Sequence, residues 1–187
     1  DSMTGGIGDD AFIMATTDTA GGVATVNITD FSNSGTNGAD RLDLSITALS
    51  TIEFAAVETV DPSDTSGVTL VANTAIKFSD VSADDTSLAG GSADIVVLTG
   101  ATYVDAAAAL TGMTTGCART FTFSALTDND SMLVAYQLAA GGVEIALAQS
   151  AGANNTTSNG FDAIDVVVKL AGLTTADLLA ANIDLIA

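Results

Sequence analysis

The chain has 187 residues, 48% of them apolar, which fits one domain with a sizeable core. Twenty-three acidic residues stand against four basic ones, a formal net charge of −19 that repels nucleic acid and anionic lipid alike. His and Trp are absent and Cys117 is the single cysteine, which excludes histidine-based triads, thiolate metal cages and an internal disulfide.

The chain opens on glycine-rich turns, and after about Asp18 these give way to a strand-rich body, so we divide it into residues 1–18 and 19–187. In the body, short apolar runs between Gly, Asn, Asp, Ser and Thr clusters predict strands at Val23–Ile28, Arg41–Ile46, Thr51–Val57, Val68–Ala72, Ala75–Phe78 and Ile95–Thr99. The Ala-rich stretch Tyr103–Leu110 predicts a helix. Further strands are expected at Arg119–Phe123, Ser131–Leu138, Val143–Ala148 and Ala163–Leu170. The two around Ala139-Ala140-Gly141-Gly142 form the clearest hairpin. The tract Gly152–Gly160 has no periodicity and reads as a loop. A second helix is expected at Thr174–Ala181, capped by Thr174 or Thr175 with Asp177 in its first turn. So many short strands predict an all-β fold, a short β-roll turn at the N-terminus leading into a β-sandwich or roll, with one or two short helices. The most apolar stretch, Ile95–Leu110, is interrupted by Thr99, Thr102 and Asp105, short of a membrane-spanning helix.

The acidic excess is almost all aspartate; Glu53, Glu58 and Glu144 are the glutamates. Asp is a turn residue whose short carboxylate can join a compact oxygen cage around a hard cation. An acidic surface that keeps the protein dispersed explains the same excess. The distribution favours the first reading. Gly5-Gly6-Ile7-Gly8-Asp9-Asp10-Ala11-Phe12-Ile13 matches the nonapeptide G-G-x-G-x-D-x-U-x at every specified position, with Phe12 as the large apolar residue. Asp1-Ser2-Met3-Thr4 falls in phase as the D-x-U-x end of a preceding copy. Glycines at these positions allow a tight turn with carbonyls pointing inward, and the Asp adds a carboxylate, oxygen donors that suit Ca²⁺ held between successive turns.

On these residues the chain resembles the repeats-in-toxin family of calcium-binding proteins. Ile28-Thr29-Asp30-Phe31 and Asp40-Arg41-Leu42-Asp43-Leu44-Ser45 are similar to the segment that follows the last repeat in that family, with extra residues, Ser32–Ala39, between the halves. The resemblance extends to Asp130–Val134, Gly160–Leu170 and Leu173–Leu178, and it covers Thr51–Thr127 poorly. It implies calcium as the cofactor, with Asp1, Gly6, Gly8, Asp10, Asp30, Asp40 and Asp43 as candidate ligands. It also implies an extracellular or cell-surface location, reached by type I secretion with an uncleaved C-terminal signal compatible with Asn182–Ala187. Gly90-Gly91-Ser92-Ala93-Asp94-Ile95 is a degenerate echo of the repeat, read as a turn entering a strand.

No phosphate-binding loop is present, and Gly5-Gly6-Ile7-Gly8 does not satisfy the dinucleotide fingerprint. Asp64-Thr65-Ser66-Gly67 lacks the second copy that an aspartic dyad needs, and without Trp there is no sugar-stacking platform beside a carboxylate pair. We therefore expect no enzymatic activity. The expected function is a calcium-stabilised structural protein, a self-assembling surface-layer or filament subunit that forms homo-oligomers or polymers, with cell-surface polysaccharide as a further candidate partner. The alternative is the C-terminal cap and secretion domain of a larger adhesin.

Overall fold

The computed structural model describes residues 1–14, 26–33, 38–49, 56–59, 68–69, 78–82, 86–87, 93–114, 119–126, 130–152 and 155–186. Within them the chain is mostly β, with two short helices. The strands are β1 (Ser2–Met3), β2 (Ala11–Met14), β3 (Val26–Ile28), β4 (Arg41–Ser45), β5 (Ala56–Thr59), β6 (Val68–Thr69), β7 (Phe78–Val81) and β8 (Thr86–Ser87). They continue as β9 (Ile95–Tyr103), β10 (Phe121–Leu126), β11 (Asp130–Leu138), β12 (Val143–Ser150), β13 (Asn155–Thr157), β14 (Phe161–Leu170) and β15 (Ile183–Ile186). The helices are α1 (Ile46–Leu49) and α2 (Ala106–Thr114).

A nine-stranded sheet runs β1-β3-β14-β12-β11-β5-β6, with β9 also on β11 and β7 on β9. At its centre the hairpin β11–β12 pairs antiparallel from Ser131↔Gln149 to Gln137↔Val143, closed by Gly141 and Gly142 at φ +92° and +91°. That conformation asks for glycine. Alternation along these strands sends side chains to two cores. Leu133, Ala135, Ile145, Leu147, Ile95 and Val97 join one; Met132, Val134, Tyr136, Ala146, Val96 and Leu98 join the other. Burial on both faces is why β9 reads as an unbroken apolar run, Ile95-Val96-Val97-Leu98.

Across the first core lies a three-stranded sheet, β15-β4-β2, parallel throughout. It combines with the first sheet into three side-by-side strand–turn–strand rungs. Rung 1 is β1–turn–β2 and rung 2 is β3–turn–β4. Rung 3 joins the end of β14 to β15. Ser2↔Asn27 and Val168↔Val26 set the register on one side; Phe12↔Leu42 and Ile183↔Leu42 set it on the other. The apolar rows Phe12/Leu42/Ile183 and Met14/Leu44/Leu185 face inward.

Several elements depart from expectation. Strand β9 continues to Tyr103, so the first helix starts later, at Ala106. Asp105 caps it, accepting the Ala108 N–H on Oδ1 at 2.8 Å. Ile46, expected to end a strand, begins α1. The tract expected as a loop contains β13, antiparallel to β10, and a 3₁₀ turn at Ser158–Gly160. Most consequentially, Thr174–Ala181 is not a helix. The local cap forms, Asp177 accepting the Thr174 N–H at 3.0 Å and its hydroxyl at 2.6 Å. The segment then becomes the turn of rung 3, held by tertiary bonds instead of an i→i−4 ladder. Thr175 donates its N–H to Gln137 Oε1 at 2.9 Å, and a 3₁₀ turn at Ala180–Asn182 leads into β15. The expected boundary at Asp18, Cys117, Asp64–Gly67 and Gly90–Ser92 lie outside the described residues.

Candidate functional site

The site is the stack of two turns that join β1 to β2 and β3 to β4. Gly6 and Gly8 take φ +100° and +132°, conformations that L side chains disfavour, which lets the chain reverse between Met3 and Ala11. The described parts of the second turn, residues 29–33 and 38–40, lie directly against the first. A Cβ on Gly38 would fall 1.9 Å from the Gly8 carbonyl oxygen, so the backbones approach more closely than any side chain permits.

Aspartates hold the two turns together. Asp30 accepts the Gly5 and Gly6 N–H groups at 3.0 and 2.8 Å. Asp40, 2% exposed, accepts Asp10 N–H at 3.1 Å from rung 1 and Ser32 N–H at 2.8 Å from its own rung. Asp9 reaches the other way, accepting Ala39 N–H at 2.9 Å. The hydroxyls of Thr4 and Thr29 meet at 2.8 Å. These bonds satisfy turn amides that no strand ladder reaches.

The candidate ligands therefore separate. Asp10, Asp30 and Asp40 sit on the stacked turns with Gly6 and Gly8. Asp1 is at the start of rung 1, its carbonyl accepting the Asn27 N–H at 2.8 Å. Asp43 lies apart, on the middle strand of the parallel sheet. It is 3% exposed and held by Arg41 through Nε at 2.6 Å and Nη2 at 2.9 Å. Asp184, next in register, lies 3.5 Å from the Arg41 Nε, and the Asp43 hydrogen bond with its charge raises the guanidinium pKa further. Among the described residues no three His, Cys, Asp or Glu side chains converge on one point. One carboxylate oxygen, Asp10 Oδ2, is buried without a hydrogen-bond partner against Gly5, where a Cβ would come within 2.6 Å of it. A buried, partnerless carboxylate oxygen is the kind of atom that a hard cation satisfies.

Sequence reading missed Asp9, Ser32 and Gly38. Its signal was present, since Gly38-Ala39-Asp40 repeats the Gly8-Asp9-Asp10 pattern ahead of the aligned strands β4 and β2. Asn182, which donates to the Asp40 carbonyl at 2.8 Å, carried no such signal. No described helix is long and apolar enough to cross a membrane. No family model, curated protein or solved structure matches the chain.

Proposed function

We propose that the protein is an extracellular, calcium-stabilised structural subunit that assembles with copies of itself into a surface layer or filament after type I secretion, and that it has no catalytic role. In this reading the rungs are the end of a β-roll built onto a sandwich-like body. The observation that carries it is the stacked pair of Gly-Asp turns, in which carboxylates bridge successive rungs and one carboxylate oxygen of Asp10 lacks a partner. Calcium would be held by Asp10 together with oxygens of the same turns, and it would rigidify the rungs by offsetting charge that otherwise opposes their stacking.

The test compares wild type and Asp10→Ala in millimolar Ca²⁺ and in chelator. Calcium raises the wild-type melting temperature, by a free energy of about 2.7 kcal/mol at a hundredfold excess over Kd. In Asp10→Ala most of that increment is lost. Equal wild-type melting temperatures with calcium and chelator would refute calcium stabilisation, and an unchanged sedimentation profile would refute assembly.

The second reading, a C-terminal cap of a larger adhesin, is favoured by rung 3. Its turn uses Gln137, Thr174 and Asp177 in place of the Gly-Asp pattern, and beyond it the first sheet continues into β12, which suits a device that ends a stack. A monomer in calcium at high protein concentration would put this reading first.

A further inference from the structure

The register of the nine-stranded sheet lines up three side chains of complementary chemistry. Asn27 of β3 pairs with Lys169 of β14, and Lys169 pairs on its other side with Glu144 of β12. Residues directly paired across strands project from the same face, so the amide, the amine and the carboxyl form one row. Tyr136 of β11 extends the row and belongs to the second core, which places the row on that side of the sheet. All three side chains are half-buried. The Tyr136 hydroxyl donates to Glu144 Oε2 at 2.7 Å and holds that carboxyl against the sheet. The Lys169 stem lies along the hairpin turn, where a Cβ on Gly142 would be 3.4 Å from its Cε. Lys169 and Asn27 line the same cavity, about 430 Å³ in volume. Among the described residues Lys169 makes no ion pair. Asn27 Oδ1 is buried without a hydrogen-bond partner, an amide carbonyl kept from water with nothing in its place.

We propose that Lys169 and Asn27 join through an amide bond, an isopeptide cross-link that the folded chain forms within itself with Glu144 as proton carrier. Neighbouring strands lie about 4.8 Å apart, so the flexible four-carbon lysine stem can bring Nζ to the Asn27 Cγ. Glu144 takes one proton from the Lys169 ammonium, and the neutral Nζ attacks Cγ. A second proton passes from Nζ to Nδ2 through the same carboxyl, the Cγ–Nδ2 bond breaks, and ammonia leaves. The new Nζ–Cγ amide keeps one hydrogen, Glu144 ends protonated, and nothing is oxidised or reduced. The sheet supplies the fixed orientation without which an amine does not displace an amide nitrogen in water. The link is a single event in each chain, with no turnover on a second molecule. It ties β3 to β14, so rung 2 cannot separate from the strand that leads into rung 3, and it restricts the unfolded chain as any long-range cross-link does. It requires neither calcium nor assembly.

The test is the mass of the intact, purified chain. Wild type is lighter than its sequence by one ammonia, about 17 Da. Trypsin, which cuts after Lys and Arg, then releases residues 1–41 joined to residues 120–187, uncut at Lys169. Lys169→Arg and Asn27→Ala have the full sequence mass and are cut into separate peptides. Glu144→Gln, whose amide oxygen still accepts the Tyr136 hydroxyl, is isolated largely unlinked. Circular dichroism checks that each variant folds. A wild-type chain at its full sequence mass overturns the proposal, whatever the variants do. So does an ammonia loss that persists in Lys169→Arg, the mark of an asparagine cyclising onto its own backbone, as the exposed Asn159 ahead of Gly160 can. Glu144→Gln isolated fully linked overturns the part given to the carboxyl.

Discussion

Gly38 offers the most direct test of how the two turns are stacked. An alanine there must adopt φ +97° and place its Cβ 1.9 Å from Gly8 O, 2.2 Å from Gly8 C and 2.8 Å from Asp9 N. The left-handed backbone alone costs about 1–2 kcal/mol. The overlap is with backbone and is about 1.5 Å short of an ordinary contact, so one turn has to lift off the other. Lifting breaks the Ala39–Asp9 and Asp10–Asp40 hydrogen bonds, now 2.9 and 3.1 Å. At about 0.5–1.5 kcal/mol each, these bring the total for Gly38→Ala to about 2–5 kcal/mol. The control is Gly6→Ala, where φ is +100° and nothing lies within 4 Å of the new Cβ. It carries the backbone cost alone, about 1–2 kcal/mol. At this chain length the control melts about 2–8 °C low and Gly38→Ala about 4–20 °C low, followed by circular dichroism in the same buffer. Equal losses, or a smaller loss at Gly38, would show that the turns do not lie against each other as described.

Three further outcomes are expected. Leu185 on β15 is 1% exposed, so Leu185→Ala costs about 2–5 kcal/mol by urea denaturation, although it lies in the last few residues of the chain; a neutral result would remove β15 from the core. Ser158 accepts the Phe121 N–H at 2.9 Å and donates to Met113 O at 2.8 Å with 0% exposure, so Ser158→Ala strands two backbone groups and costs about 2–4 kcal/mol by the same assay, whereas a solvent-facing serine would give no change. Burial raises the pKa of both tyrosines, and for Tyr136 the Glu144 carboxylate that accepts its hydroxyl at 2.7 Å raises it further. The unfolded chain loses these protons near pH 10 and the folded chain keeps them, so their contribution is complete below about pH 10 and falls as pH rises above it. The phenolate absorbance band should therefore stay silent until alkaline unfolding releases both together, and a tyrosine titrating near pH 10 in the folded protein would contradict the burial.

How much of this was legible in the residues depends on the range of the interactions concerned. The β11–β12 hairpin was readable because its alternation and its Gly141-Gly142 turn are properties of eighteen or so neighbouring residues. The tight turn at Gly5–Gly8 was readable for the same reason, since only glycine tolerates those φ values. The Asp105 cap was also written in the sequence, and it would have placed the start of α2 three residues from where the Ala-rich composition alone set it.

Pairing partners were not legible. Parallel strands have no connecting turn to announce them, and nothing local in Ile183–Ile186 says that it aligns with Arg41–Ser45. The same holds for Ser2–Met3 on Val26–Ile28 and for Val168–Leu170 on that strand's other side. Thr174–Ala181 shows the physical reason most clearly. Its Thr and Asp favour a helix cap, and the cap hydrogen bonds do form. An isolated eight-residue helix gains little from its own ladder. The tertiary alternative buries Leu178, Ile183 and Leu185, bonds Thr175 to Gln137 and bonds Asn182 to the Asp40 carbonyl. Propensity and capping, sequence-local quantities of a few tenths to one kcal/mol per residue, determined which segments could turn and which could extend. Burial and main-chain pairing between distant segments, several kcal/mol at each rung, decided that the first and last strands of the chain lie in one stack.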